Sequence, residues 1–170
     1  MQNLAELTKR LIDARVEFVL VGGFAAMAHG VLRGTRDVDG CCRFSEKNLM
    51  RVQRALAGLN PVHNPRHDLP LELTPALCPS LKNLYLKTDL GILDCLGEIK
   101  AVGGYDEVLG RSVELELPIG KCREIDIDAL IAAKEAMDRD HDRITVKELK
   151  ELKRRRQQSR LVSLKSNLKS

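Results

Sequence analysis

The chain is poor in aromatic residues: its 170 residues include no Trp, and aromatic side chains make up only 3% of them. Proteins that read single-stranded nucleic acid usually stack bases on aromatic side chains, and each stacked base contributes about 1 to 3 kcal/mol. This composition argues against broad base recognition. Any RNA contact is instead expected through phosphates and one acceptor end.

Paired cysteine motifs and long apolar runs are also missing. The five cysteines (Cys41, Cys42, Cys78, Cys95 and Cys122) are odd in number and include no C-x-x-C spacing, so they favour reduced thiols over disulfides or a zinc site. No signal-peptide pattern is apparent, and no apolar run approaches the roughly 18 residues that a membrane span needs. The sequence thus predicts a cytoplasmic protein without a membrane partner. Its net charge of +4 permits a nucleotide or nucleic-acid partner without requiring one.

Proline is scarce outside a single segment. Five of the six prolines fall between residues 59 and 83, which predicts a long ordered loop with one short strand near 69–73. His63, His67 and Cys78 lie in this loop. Their spacing matches no standard metal site, so exposed loop histidines are favoured over metal ligands.

Residues 18–42 carry the most informative pattern in the chain. The apolar run 18–21 stops at Gly22 and Gly23, which predicts a buried strand entering a tight turn. Phe24 to Ala28 are then expected to form a short helix. Because glycine has no Cβ atom and a helix N-terminus favours anions, a phosphate could approach the backbone at this turn.

Two aspartates follow in the next strand. Asp37 and Asp39 alternate with Val38, so both carboxylates are expected on one face of the strand, about 6.6 Å apart along it. Such a pair can share a hard cation. The D-x-D spacing by itself is weak evidence, since the chain repeats it at 126/128, 138/140 and 140/142. Only Asp37 and Asp39 follow a strand, a Gly-Gly turn and a helix.

A further acidic residue stands in an apolar segment. The pattern of residues 84–99 predicts strands at 84–87 and 92–96 around Gly91, with Asp94 inside the second. A carboxylate in a central strand is costly unless it is paired or bound to a metal. Asp89 is the competing candidate, but it precedes a glycine in a predicted turn, and Asp94 is therefore favoured.

The rest of the chain alternates predicted helices and strands. Periodicity predicts an amphipathic helix over 2–15, a helix over 46–57 capped by Ser45, and strands at 112–117 and 122–125. Asp128 is expected to cap the next helix, and Thr145 with Glu148 to form a capping box that starts the last one. We expect one domain over residues 1–152, followed by a basic helix end and loose tail over 153–170.

The chain has a Gly-Gly pair followed, after thirteen intervening residues, by Asp-x-Asp. This pattern resembles the signature of the polymerase-β-like nucleotidyltransferase superfamily. Three stretches resemble one branch in particular, the small bacterial stand-alone enzymes related to the toxin of an abortive-infection toxin–antitoxin pair. They run from Gly22 to Asp39, including His29-Gly30, Arg33 and Thr35; over 88–96, TDLGILDCL; and over 128–142, DALIAAKEAMDRDHD. Together they fall within residues 16–152.

The resemblance implies an α/β (α+β) nucleotidyltransferase fold, in which helices flank a central mixed sheet and the C-terminal helices pack on the core. It also implies Asp37, Asp39 and Asp94 as catalytic residues and ligands of two Mg²⁺ ions. It suggests a nucleotide site formed by Gly22, Gly23, Arg33, Thr35, Arg36 and Lys134, with Asp142 in support. The competing interpretation of Arg33 and Arg36 is that they are surface charges. Lys134 could instead be an ordinary helix lysine with an extended side chain, and His29 a capping or core histidine.

The function implied is Mg²⁺-dependent transfer of a nucleoside monophosphate from a nucleoside triphosphate to a hydroxyl of an RNA or tRNA end or of a protein. The role would be that of a toxin–antitoxin component with a cognate partner. Two departures from the family pattern, Gly40-Cys41-Cys42 after Asp39 and His141 before Asp142, motivate an alternative: an inactive nucleotide-binding half of a two-protein regulatory pair. An antibiotic-modifying transferase is a third option. It would need an acidic pocket, to which the Pro-rich loop offers only Asp68 and Glu72.

Overall fold

The computed structural model describes residues 2–169. Its helices are α1 Leu4–Asp13, α2 Gly22–His29, α3 Glu46–Ala55, α4 Tyr105–Gly110, α5 Ile127–Met137 and α6 Asp140–Asn167, with a short 3₁₀ helix at Cys78–Ser80. Its strands are β1 Phe18–Val21, β2 Asp37–Cys42, β3 Val62–His63, β4 Asn83–Thr88, β5 Gly91–Leu96, β6 Glu98–Ile99, β7 Gly103–Gly104, β8 Ser112–Leu117 and β9 Gly120–Ile125. In the described part of the chain, no helix combines the length and the apolar character needed to cross a bilayer.

Seven strands form one mixed sheet in the order β3-β4-β5-β2-β1-β9-β8. The pairs β2/β5 and β1/β9 are parallel, and the other neighbouring pairs are antiparallel. β6 and β7 form a separate two-stranded ribbon. This confirms the predicted α/β (α+β) class with a central mixed sheet and helices, and it places β2 and β5 side by side near the middle of the sheet.

The central strands are held by apolar side chains on both faces of the sheet. All four residues of β1 are buried, and Val38 and Leu93 of the parallel pair have no exposed surface. The apolar stripes predicted for the first and third helices are also buried, including Leu11 and Leu49. Burying an aliphatic side chain of this size stabilises the fold by about 1.5 to 3 kcal/mol. The strands that carry the aspartates are therefore firmly anchored.

Strand β2 continues without a break through Gly40, Cys41 and Cys42. Gly40 pairs with Leu20 on one side and with Cys95 on the other, and both cysteines are buried. Burial raises the pKa of Cys41 to about 12, which keeps this thiol protonated. The departure from the family pattern at these residues therefore does not interrupt the strand that bears Asp39.

Two predicted helix starts are wrong. The carboxylate of Asp126, not Asp128, accepts the N–H of Ala129 at 2.7 Å and caps α5. α6 begins at Asp140, so Thr145 lies inside the helix, where its hydroxyl donates to the carbonyl of His141. The cap of α5 is thus still local but lies two residues earlier than predicted. In α6, buried Asp142 is bonded to Lys134 within the first turn.

The predicted loose tail is also wrong, since α6 continues as a helix to Asn167 and crosses the expected boundary at residue 152 without a break. Leu152 packs near Gly30, and Arg156 donates to the carbonyl of His29 at 2.6 Å. Beyond Arg156 the described side chains are exposed, so only the first part of α6 is packed on the core as expected. Ser170 lies outside the described residues.

The strand predicted near 69–73 is wrong as well. The loop instead forms β3 at Val62–His63, which pairs with β4, and Pro70 makes only an isolated bridge with Val62. Proline has no N–H to donate to a strand ladder, which accounts for the failure of a strand to form around Pro70. β3 extends the sheet beyond β4.

Candidate active site

One cleft, of about 480 Å³, opens where β1, β2 and β5 meet the ends of α2, α5 and α6. Most of the predicted site residues line it, namely Gly22, Gly23, Arg33, Thr35, Asp37, Asp39, Asp94 and Lys134. Arg36 does not line it and is exposed elsewhere. The fold thus brings together residues that lie up to 112 positions apart in the chain.

A single row of side chains crosses four strands along one wall of the cleft. Tyr85 of β4 pairs with Asp94 of β5, Asp94 pairs with Asp39 of β2, and Asp39 pairs with Val21 of β1. Directly paired residues project to the same face of a sheet, and neighbouring strands are about 4.8 Å apart. Asp94 and Asp39 are therefore adjacent, and Asp37 projects from the same face two residues before Asp39.

The glycine turn lies against Asp39. Gly22 has a φ of +61°, which favours glycine, and a Cβ atom there would lie 2.8 Å from Cγ of Asp39. Burial raises the pKa of Asp39, and the backbone N–H of Gly23 acts to lower it. A Cβ atom at Gly23 would lie 2.9 Å from the hydroxyl of Thr35. Both glycines are thus required by close approach as well as by the turn.

We expect the substitution Gly22→Ala to displace the Asp39 side chain and to destabilise the fold by about 1 to 3 kcal/mol, because overlap is added to an unfavourable φ. Urea denaturation measures the change in the free energy of unfolding. Gly34→Ala is the matched control, since a Cβ atom at Gly34 would meet nothing within 4 Å. Equal stability of the two variants would contradict the close approach at Gly22.

The acidic wall of the cleft carries an unfavourable concentration of negative charge. Burial first, and then the charge of Asp37, raises the pKa of Asp39. Burial first, and then the charges of Asp39 and Asp37, raises the pKa of Asp94 to about 6. Oδ1 of Asp94 is buried and has no hydrogen-bond partner among the described residues. A cation placed here would relieve both the repulsion and the missing partner.

The carboxylates fit a hard divalent cation in chemistry, since Mg²⁺ prefers carboxylate oxygens. Across residues 2–169, however, no group of three or more His, Cys, Asp or Glu side chains is arranged as a metal centre. The donor set and the unpartnered Asp94 oxygen nevertheless favour this location over the loop with His63 and His67. His67 there bonds the side chain of Asn64 at 3.0 Å.

We expect Asp94→Asn to be more stable than the wild type at pH 7.5. The raised pKa means that the folded state binds a proton more readily than the unfolded chain, so Asp94 lowers stability as pH rises from about 4 to about 6. Partial exposure limits the gain on substitution to about 1 to 2 kcal/mol. Thermal denaturation of both proteins at several pH values measures it. A gain that persists unchanged below pH 4 would contradict the titration of Asp94.

A basic wall faces the acidic one. Lys134 of α5 is only 7% exposed, and its Nζ lies 3.3 Å from the fully buried carboxylate of Asp142, which Arg139 also contacts at 2.6 Å. Burial acts to raise the pKa of Asp142, but the hydrogen bond from Arg139 and the charge of Lys134 outweigh it, so this pKa is lowered. Arg33, Arg139 and His141 also line the cleft. This wall can hold an anion.

The competing candidates lie elsewhere. Asp89 is exposed in the turn between β4 and β5 and accepts a hydrogen bond from Asn60 at 2.8 Å. His29 is buried, and its Nε2 donates to the carbonyl of Ile125 at 2.8 Å, in agreement with the predicted core histidine. Of the two candidates for the third aspartate, only Asp94 shares the cleft with Asp37 and Asp39.

Tyr85 and Arg139 line the cleft but were not predicted as site residues. Tyr85 was predicted only as part of a strand, and Arg139 only as part of the stretch 128–142 that carries the resemblance. A usable signal existed for Arg139, which stands three residues before Asp142 near a helix start. None existed for Tyr85, because its place opposite Asp94 depends on strand register.

The residues predicted for the site, apart from Arg36, line one cleft, and the glycine turn lies against Asp39. No protein-family model matches the chain, and no curated protein matches it.

Proposed function

We propose that the protein is a nucleotidyltransferase that moves a nucleoside monophosphate from a nucleoside triphosphate to an acceptor hydroxyl. The observation that carries this proposal is the set of three carboxylates on the adjacent parallel strands β2 and β5, in contact with a Gly-Gly turn. Oδ1 of Asp94 is buried and has no hydrogen-bond partner among the described residues, which favours a ligand-binding role for these carboxylates over a purely structural one.

The polarity of the cleft supports a triphosphate substrate. Lys134 and Arg139 act electrostatically on Asp39, so positive charge lies beside the carboxylate nearest to the glycine turn. A triphosphate tail would bind Lys134, Arg139 and Arg33, together with the N–H groups at the start of α2. Its α-phosphate would then lie over the carboxylates. This arrangement separates the leaving group from the acidic wall.

Asp37, Asp39 and Asp94 would hold Mg²⁺, which when bound supplies neutralisation of the phosphate charge and activation of the acceptor oxygen. Oδ1 of Asp94 is free to accept the proton of the acceptor hydroxyl. The acceptor oxygen forms a bond to the α-phosphorus while the bond to the β-phosphate oxygen breaks, and pyrophosphate leaves. Phosphoryl transfer depends mostly on positioning and electrostatics, which these side chains provide.

The test uses the full chain with each of the four labelled ribonucleoside triphosphates, Mg²⁺ and a cell extract. We expect one or more triphosphates to label a macromolecule, with equal release of pyrophosphate, and RNase or protease treatment then identifies an RNA or a protein acceptor. Asp37→Asn should remove the label, while Asp106→Asn, an exposed carboxylate paired with Arg43, should not. Nucleotide binding without pyrophosphate release would overturn the proposal and favour the inactive partner protein.

Mg²⁺ binding can be measured without turnover. We expect Mg²⁺ to raise the melting temperature of the wild-type protein, because a ligand that binds only the folded state stabilises it. Asp94→Asn should lose most of this shift, since Asp94 is in the acidic wall. The same metal shift in the wild type and in Asp94→Asn would place the cation elsewhere.

A further inference from the structure

The row of side chains across the sheet has different chemistry at its two ends. Val21 and the glycine turn lie at one end, the aspartates in the middle, and Tyr85 at the other end. With about 4.8 Å between neighbouring strands, Tyr85 lies roughly 14 Å from the β1 end of the row. The row therefore has a direction that can be compared with the direction of the proposed transfer.

Two cations of the basic wall act on the carboxylate nearest to the glycine end of the row. Lys134 and Arg139 influence the carboxylate of Asp39, whereas the charges that act on Asp94 are those of Asp39 and Asp37. In an in-line transfer the attacking oxygen and the leaving pyrophosphate are on opposite sides of the phosphorus. If pyrophosphate leaves towards the basic wall, the acceptor must approach past Asp94, and that is where Tyr85 lies.

An exposed aromatic ring and an exposed lysine lie together at this end of the row. The Tyr85 side chain is 45% exposed, and Lys87 lies two residues further on the same face of β4. Lys87 is exposed, and among the described residues its ammonium forms no ion pair or hydrogen bond. Tyr105, the other tyrosine, lies instead under the guanidinium of Arg43 at 4.5 Å. Of the two tyrosines, Tyr85 is therefore the one whose exposed ring lies near both the unpaired Lys87 ammonium and the Asp94 carboxylate.

We propose that Tyr85 and Lys87 form the acceptor platform of the proposed transferase, and that the acceptor is the 3′ end of a single-stranded nucleic acid. The Tyr85 ring stacks on the terminal base, the Lys87 ammonium contacts the preceding phosphate, and the terminal hydroxyl then lies beside Asp94. This inference rests on the proposed function, because it uses the direction of transfer. The proposed platform needs only one aromatic side chain for base contact, which agrees with the low aromatic content of the chain.

Affinity for a fluorescein-labelled single-stranded RNA of about eight nucleotides, measured by anisotropy without nucleotide, tests the platform. We expect Tyr85→Ala to weaken binding by about 5- to 150-fold, as loss of one stacking partner does, and Tyr85→Phe to bind within about two-fold of the wild type. Lys87→Ala should lower the slope of log Kd against log salt concentration by about 1, the value expected for the loss of one phosphate contact. The controls are Tyr105→Phe, at the other tyrosine, and Lys47→Ala, at an exposed lysine of α3 outside the cleft.

Unchanged RNA affinity in Tyr85→Ala, or equal losses in Lys87→Ala and Lys47→Ala, would overturn the platform. A wild-type protein that transfers nucleotide to a protein and does not bind the RNA would also overturn it, while leaving the proposed function intact. Circular dichroism of each variant confirms folding, and pyrophosphate release by the wild type is measured separately. Absence of that release would refute the transferase itself, whatever the RNA affinity.

Discussion

Replacing Asp39 by Asn is expected to lower the rate of nucleotide transfer by at least about 10³-fold without lowering the free energy of unfolding. Asp39 is central to the site, since it pairs with Asp94 in register and lies against Gly22 of the glycine turn. The substitution keeps the shape of the side chain and removes its charge. Its raised pKa shows that the charge is held at a cost to stability, so the loss should fall on activity alone.

Pyrophosphate release under single-turnover conditions measures this effect. Asp89→Asn is the matched control because Asp89 is an exposed carboxylate in the turn that precedes β5, outside the cleft. We expect it to retain the wild-type rate within about two-fold, as most exposed substitutions do. An Asp39→Asn protein that still turns over at a rate near the wild type would remove the carboxylates from the mechanism.

Asp142→Asn is expected to cost about 3 to 5 kcal/mol of folding free energy, the largest effect on stability of any single substitution proposed here. Its side chain has no exposed surface, and it bonds both Lys134 and Arg139. Removing the charge leaves the ammonium of Lys134 buried without its counter-ion, because only 8% of that side chain is exposed. A buried unpaired charge is far more costly than the loss of an exposed pair.

Asp138→Asn provides the comparison, because Asp138 pairs with Arg143 at 2.8 Å but both side chains are mostly exposed. Solvent screens such an exposed pair, so it should contribute little to the free energy of unfolding. The lowered pKa of Asp142 means that its contribution is present above the unfolded pKa and is lost as pH falls through the lower folded value. The stability difference between wild type and Asp142→Asn should therefore shrink below about pH 4, and similar losses in both variants would contradict the buried pair.

Local patterns predicted much of the fold because the relevant signals are short-range. The apolar run that stops at Gly22 and the alternation in residues 112–117 both favour a strand, and both strands formed. Ser45 caps its helix as predicted, with its hydroxyl accepting the N–H of Asn48. Two other local predictions failed: Thr145 lies inside α6 instead of capping it, and the predicted loose tail is helical to Asn167.

For the site, the sequence alone determined which carboxylates lie in strands, because alternation and apolar neighbours are local properties. It could not determine that Asp94 pairs with Asp39, since β2 and β5 are separated by α3, the Pro-rich loop and β4. Register between distant strands, which also aligns Tyr85 with this pair, depends on how the whole sheet packs. The tertiary structure therefore decided which residues line the cleft and in what order they lie across it, because it alone sets which faces of distant elements meet.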